Sequence, residues 1–546
     1  MTDRLALNLA WVLLAGFLVF FMQAGFALVE TGMVRAKNAA HTMAMNVVVY
    51  ALGIAGFWAA GFAIMYGGHA LPESLGGGSV PGRDVAGLFG TGGFFLAGTP
   101  SPGVFALFLF QLMFMDTAAT IPTGALAERW KFSSFVLYGL FVSTLLYPVY
   151  GHWVWGGGWL ARLGADLGLG HGHVDFAGSS VVHMVGGFTA LAGAWRLGPR
   201  LGKFRPDGRP NPLPAHNVPM YMLGTLVLVF GWFGFNAGST LAATDPIVAR
   251  VAVNTVLASA AGGLAALFSL WRRFGKPDPS FLCNGILAGL VSVTASCAYV
   301  APWAAVLVGG VGGLLAVWGA FFVERWLRVD DPVGAVSVHG LAGLWGTQAV
   351  GLFADGTYAP AANFNGVPGN VTGLFYGGAA QLAAQAVGVV VNLLWVLPVA
   401  SGWFWLVGRL VGNRPSAQAE FVGLDVPELG ALGYITQDPQ VKEGRVITSL
   451  PAEPRAAAAP PDRQKRFAVL VEGVEAGQLA QVWSDLCQAG AAPPPAEFRA
   501  VYPYMTTLQG TRFRFRGGDP LMVRANLERL LKDRLPGLSV RVRLEG

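Results

Sequence analysis

Asp175-Phe-Ala-Gly-Ser-Ser-Val-Val-His183-Met-Val-Gly-Gly187 and Asp331-Pro-Val-Gly-Ala-Val-Ser-Val-His339-Gly-Leu-Ala-Gly343 follow one pattern: Asp, Gly three positions on, Val-His at seven and eight, Gly at twelve. They open the fifth and tenth of eleven apolar segments, so each half of the chain holds five. An odd number of crossings per half makes the two halves enter a bilayer with opposite topology, the inverted-repeat plan whose working site lies at the repeat interface near midplane. A pseudo-twofold axis between the halves brings His183 and His339 together.

The eleven segments each approach the ~20 apolar residues that cross hydrocarbon as a helix. They run over 7–32, 42–66, 105–126, 132–155, 179–195, 220–241, 251–271, 285–300, 303–326, 338–353 and 374–411. The first is a span and not a cleaved signal, because it is long, contains Gln23 and Glu30, and has no small-residue cleavage site after it. Loops after odd-numbered segments carry 16 Lys/Arg, from Arg35 and Lys37 to Arg409 and Arg414, and the other loops only Arg4, Arg83, Arg162 and Arg250. The positive-inside rule therefore sets the N-terminus outside and the tail in the cytoplasm, in a multi-pass protein of the cell (inner) membrane.

Composition agrees. A chain of 546 residues with 54% hydrophobic and 12% charged residues and a mean hydropathy of +0.52 is not three or four soluble domains. Charge is sparse up to Arg414, with 20 Lys/Arg and 15 Asp/Glu, and dense in the last 132 residues, with 16 and 15. The chain reads as a membrane body with a soluble tail. Cys283, Cys297 and Cys487 have no metal-ligand spacing and suggest neither zinc nor a disulfide framework. The net charge of +6 comes with no basic patch on a nucleic-acid-binding fold, so nucleic acid is not a partner.

A lone histidine in an apolar helix is more often a satisfied core residue than a working one, but two in equivalent repeat positions favour a working pair. An imidazole pair offers a donor and an acceptor nitrogen to a small polar guest. No third ligand stands at helical spacing to make a zinc site. The aspartates eight positions ahead read as helix caps. Asp116, mid-way along the third segment, either pairs or titrates.

Three aromatic clusters stand out, Phe110–Phe114, His152–Gly158 and Gly231–Ser239, the second with Gly beside its rings and the third with Gly and the Ser239 hydroxyl. Phe110 and Phe114, like Phe235 and Ser239, are four residues apart and share a helix face. Aromatic faces attract a desolvated cation by about 2 kcal/mol each. Moving a bare charge through hydrocarbon costs tens of kcal/mol on a Born estimate, so a path this apolar favours a guest that sheds a proton.

FMQAGFALVETGMVRAKN (21–38), GALAERWKF (124–132), HWVWGGG (152–158), DFAGSSVVH (175–183), GWFGFNAGS (231–239), NTVLASAAGG (254–263) and DDPVGAVSVHG (330–340) resemble the ammonium transporter (Amt/Mep/Rh) family, bacterial Amt-like. The resemblance covers about the first 410 residues and implies an all-α polytopic membrane protein of eleven transmembrane helices, a 5+5 inverted repeat plus one, with no enzyme activity and no cofactor or metal. It implies a homotrimer in the lipid bilayer, with one narrow pore per subunit and ammonium/ammonia, or the analogue methylammonium, as substrate.

By the same resemblance Trp155 and Ser239 match an outer ammonium-recruiting site, with Phe110, Phe114 and Trp232 in its aromatic wall. Phe114 and Phe235 match a stacked phenyl gate, His183 and His339 a twin-histidine pore, and Asp175 a supporting aspartate. Two alternatives stay open: an Rh-like gas channel, and an ammonium sensor signalling through its tail. Whether a proton travels with the ammonia is open too.

Residues 412–434 resemble the family's C-terminal regulatory segment, with Gly423-Leu424-Asp425 and Tyr434 present but Leu429 where His and Ala431 where Glu are usual. Coupling between subunits through this segment, and regulation by a P-II-type protein, are open on this reading. Pro-rich residues 435–465 read as a linker. Residues 466–546 read as a cytoplasmic α+β domain in the order βαββαβ, a ferredoxin-like plan, with strands at Phe467–Val474, Phe498–Met505, Arg512–Arg516 and 538–544. Arg512, Arg514 and Arg516 share one strand face, usually a solvated one, or else a site for an anion or headgroup.

Overall fold

Apolar length and polar end caps set where each helix begins. The computed structural model describes residues 2–99, 101–359, 365–434, 440–442, 445–447, 466–488, 505–509, 511–516, 520–536 and 538–545. Contacts divide the chain into two compact units, Met1–Thr436 and Gln437–Gly546.

In the first unit, eight helices among the described residues are long and apolar enough to cross a membrane. They are α1 (Asp3–Met33), α2 (Ala36–Tyr66), α3 (Pro102–Leu126), α4 (Phe132–Val154), α6 (Val218–Ala237), α7 (Ile247–Phe274), α9 (Pro302–Arg325) and α11 (Ala379–Leu410). The other three predicted segments are shorter helices: α5 (179–197), α8 (Pro279–Thr294) and α10 (336–353). Capping explains the shifted bounds. The Asp278 carboxylate accepts from the N–H groups of Ser280 and Phe281, so α8 starts six residues before the predicted 285, and it ends at Thr294 rather than 300. The last segment starts at Ala379, because Leu374–Tyr376 forms a separate 3₁₀ turn ending on left-handed Gly377.

Close packing without apolar driving force requires small residues where helices cross in a bilayer. A Cβ on Gly313 of α9 would lie 2.0 Å from the Gly262 carbonyl oxygen of α7, so these two backbones touch. Large side chains such as Leu226, Leu264, Phe268, Trp303 and Leu394 stay exposed, the lipid-facing pattern of a membrane body.

In the second unit, β1 (Arg466–Glu472), α12 (Ala476–Gln488), β2 (Met505–Gln509), β3 (Arg512–Arg516), α13 (Pro520–Arg534) and β4 (Arg541–Glu545) follow in chain order. The sheet order is β2-β3-β1-β4, every pair antiparallel. Val469, Val471, Phe513, Phe515, Val540 and Val542 bury one sheet face against Leu479, Val523, Leu527, Leu530 and Leu531 of the helices. The second strand lies at Met505–Gln509, later than the predicted 498–505; residues 498–504 lie outside the described residues. Within the predicted linker, Gln440–Lys442 pairs antiparallel with Arg445–Ile447, and most of the remainder lies outside the described residues.

Candidate functional site

The two repeated motifs meet at their glycines and histidines. A Cβ on Gly187 would fall 2.1 Å from the Gly340 nitrogen, and one on Gly343 would fall 2.6 Å from the Ser179 carbonyl oxygen. With no side chain between them, α5 and α10 cross in backbone contact. This brings His183 Nδ1 to 3.2 Å from His339 Nδ1, with ring planes 22° apart. Each histidine sits in a π-helical turn, Ser179–Met184 and Val336–Leu341, and Phe235 sits in a third, Phe233–Ala237. Such turns widen a helix locally and re-aim side chains. The Nδ1···Nδ1 hydrogen bond needs one bare nitrogen, so the pair holds at most one positive charge, and His183 Nε2 has no protein partner.

Both aspartates are caps. Asp175 accepts from the N–H groups of Gly178, Ser179, Ser180 and Val181 at 2.8–2.9 Å and from the Ser180 hydroxyl at 2.7 Å. Asp331 accepts from Gly334 at 3.0 Å and Val336 at 2.7 Å. The Asp175 carboxylate is thus occupied by the start of α5; its carbonyl oxygen accepts from Trp155 Nε1 at 2.7 Å and fixes that indole. Asp175→Asn removes an acceptor facing two donors. At about 1–3 kcal/mol per orphaned buried group, it is expected to lower the midpoint of thermal unfolding measured in detergent.

Trp155, Ser239 and Phe110 line one cavity of about 110 Å³ with Tyr66, Gln111 and His173. Ser239 donates its hydroxyl to the Phe235 carbonyl at 2.7 Å, which turns the Oγ lone pairs outward. From this cavity the rings form a ladder. Phe110 and Phe114 lie 4.6 Å apart, Phe114 and Phe235 stack at 4.1 Å and 22°, and Phe235 lies 5.5 Å from His183. His339 then lies 6.0 Å from Phe26. At the other end of the molecule a wider cavity, about 390 Å³, is lined by Asp331, Ser337, Asn284, Lys203 and Glu324.

Trp232, expected in the aromatic wall of the outer cavity, does not line it. It is fully buried, stacks at 5.2 Å on His183 and donates to Thr294 Oγ1 at 3.0 Å, so it backs the histidine pair. The helical turn that carries Phe235 to the gate puts Trp232, three residues earlier, one turn further along the same face. Phe114 likewise borders Phe110 and Trp155 without lining the cavity. Asp116 stays buried, with one carboxylate oxygen lacking a protein partner.

A model of the Ammonium Transporter Family matches residues 10–434. The chain belongs to the ammonium transporter family. Relatives include ammonium transporter Amt2 of Archaeoglobus fulgidus, 45% identical over 434 residues, 79% of this chain and 89% of that one. Ammonium transporter Amt1 of Haloferax mediterranei is 37% identical over 443 residues, 78% of this chain and 79% of the other. Among solved structures, a sensor Amt protein aligns with a TM-score of 0.69 at 36% identity, over 78% of this chain and 99% of its own. Saccharomyces cerevisiae Mep2 aligns at 0.65 and 28%, over 76% and 88%.

In this ammonium transporter, residues outside the motifs also border the site and the basic end. His173 Nε2 lies 2.9 Å from Ser180 Oγ, whose proton goes to Asp175, so His173 is the donor there. Burial holds its imidazole down at about 4, so it is neutral at pH 7. Its only sequence signal is a histidine two positions before Asp175. At the basic end of the membrane body, Glu128 takes the left-handed conformation (φ 71°) and accepts from Arg35, Asn38 and Arg200, while Asp330 accepts from Arg200. Segment 412–434 binds there too: Asp425 accepts from the His41 N–H at 2.8 Å, Leu424 donates to Asn38 at 2.9 Å, and Tyr434 contacts His216 at 2.8 Å. Leu429 and Ala431 do not prevent this docking within one subunit.

Proposed function

We propose that the transporter recruits ammonium in the outer cavity at Trp155, Ser239 and Phe110, strips a proton at the Phe114–Phe235 gate, and conducts ammonia past His183 and His339. The continuous ladder of rings from that cavity to the histidine pair carries this reading. Aromatic faces and the Ser239 oxygen favour the cation at the entrance. Behind the gate, buried rings supply nothing to replace hydration of a charge, and the paired imidazoles supply one donor and one acceptor suited to neutral ammonia.

The wider arrangement goes with it: eleven crossings as a 5+5 inverted repeat plus α11, N-terminus outside, the basic end and tail facing the cytoplasm, three subunits in the cell (inner) membrane. Residues 412–434 act as the regulatory segment, 435–465 as linker, and 466–546 as a ferredoxin-like domain, which the 2-3-1-4 order of antiparallel strands supports. A P-II-type protein is a candidate cytoplasmic regulator. Similarity to a sensor Amt protein supports a second reading, in which the membrane body reports ammonium through the tail.

Uptake of methylammonium by cells lacking their own transporter tests the first reading. Ser239→Ala and Trp155→Leu are expected to raise the half-saturating concentration several-fold, since each removed contact is worth on the order of 1–2 kcal/mol to a desolvated cation. His183→Asp and His339→Ala are expected to change selectivity or current, recorded after an ammonium pulse on a reconstituted bilayer. Unchanged transport in both would remove the histidines from the path. A sensor would support little uptake in the same cells and would lose signalling on deletion of 466–546.

A further inference from the structure

The sheet of the C-terminal unit has two unlike faces. Both helices pack on the face of Val469, Val471, Phe513, Phe515 and Val542. Alternation then sends the intervening residues to the opposite face, where Arg512, Arg514, Arg541 and Arg543 are exposed. Register puts them in rows. Leu470 of the central strand lies between Arg512 and Arg543, Ala468 between Arg514 and Glu545, and Arg466 pairs with Arg516. Among the described side chains this face carries Arg512, Arg514, Arg541 and Arg543 against Glu472, which pairs with Arg543, a net of +3, whereas the rest of 466–546 carries seven Lys/Arg against seven Asp/Glu, a net of 0. The positive charge comes from placement on one face, not from a basic composition.

We propose that this arginine-bearing sheet face docks on the anionic phospholipid surface of the membrane in which the transporter sits. Guanidinium forks match phosphate oxygens and tolerate a fluid array of them, and arginines beside a charged bilayer act additively. Single-stranded nucleic acid fits less well, because sheets that bind it stack bases on aromatic rings, and among the described residues no aromatic ring stands on this face. Phe513 and Phe515 are turned to the helices. Thirty-one residues separate Tyr434 from Arg466, and with 440–442 paired to 445–447 the 23 residues outside 440–447 (31 − 8) still reach on the order of 80 Å at full extension, so the membrane is held within range of the domain. Assignment to the cytoplasmic leaflet rests on the orientation proposed above; affinity for anionic lipid does not.

The test uses the full chain in nanodiscs, which expose both sides and so do not depend on orientation, with arginines labelled by phenylglyoxal and read by mass spectrometry. Discs of phosphatidylcholine alone are compared with discs holding about 30% phosphatidylglycerol. Labelling of Arg512, Arg514, Arg541 and Arg543 is expected to fall about threefold or more in the anionic discs and to recover at high salt, while exposed Arg524 on α13 is unchanged. Arg512→Glu with Arg541→Glu is expected to restore labelling of Arg514 and Arg543. Equal labelling in both discs, equal protection of Arg524, or protection by added RNA or polyglutamate alone would each overturn the proposal. Methylammonium uptake in proteoliposomes, measured in parallel, judges the transport reading separately.

Discussion

Gly187→Ala is expected to cut ammonium uptake at least about tenfold. The added methyl would meet the Gly340 nitrogen at 2.1 Å and its Cα at 2.5 Å, contacts with backbone that no rotamer change relieves. Overpacking of a well-filled interior costs about 1–3 kcal/mol, and here the only relief is separation of α5 from α10. Gly187 lies one turn beyond His183, so a shift near 1 Å carries the 3.2 Å Nδ1···Nδ1 contact beyond hydrogen-bond range. Gly310→Ala is the control. A Cβ there meets nothing within 4 Å, and alanine is the better helix former by about 1 kcal/mol, so uptake and stability should hold or rise. Equal uptake by the two variants would mean that the halves tolerate separation and that the histidine pair does not govern conduction.

Arg200→Ala is expected to destabilise the membrane body by about 3–5 kcal/mol, the cost of leaving a buried carboxylate without its partner. Arg200 is nearly inaccessible and reaches Glu128 at 2.7 Å and Asp330 at 2.8 and 3.0 Å, so one substitution takes the paired guanidinium from Asp330 and leaves Glu128 with Arg35 and Asn38 alone. Arg200→Lys should recover only part, since an ammonium cannot serve both carboxylates with the same fork. The pH dependence has a definite sign. Burial opposes ionisation of Asp330, but the guanidiniums of Arg200 and Arg129 outweigh it and hold the carboxyl well below its usual 3.8. A depressed folded value adds stability that is present above the unfolded value and lost as pH falls through the folded one. The gap between wild type and Arg200→Ala in thermal unfolding in detergent should therefore be full at pH 7 and narrow below about pH 4. A gap independent of pH would assign the loss to packing alone.

Legibility in the sequence followed the range of the forces involved. Apolar length along the chain marked eleven segments, and the repeated Asp, Gly, His and Gly spacing marked the residues at the crossing of α5 and α10. Helix ends were misjudged where capping decided them, as at Asp278, because a polar cap looks like loop in an apolar count. The resemblance implies a place for Trp232 in the cavity wall, but it stands one helical turn from Phe235, and that turn carries its ring past the cavity to stack on His183. His173 was passed over because its partners, Ser180 and Asp175, become a network only once the loop folds back on α5.

The sequence by itself determined a membrane body with a charged tail, the pairing of the two motifs, and the family, since hydropathy, charge bias and motif spacing are properties of the chain read in order. Tertiary structure alone decided which side chains share a cavity, that Asp175 spends its carboxylate on a helix start, and that arginines of the tail gather on the sheet face opposite its two helices. Those outcomes depend on distances between residues far apart in the chain, and such distances are set by which backbones can touch: glycine against glycine at 187 and 340, and strand against strand in the tail.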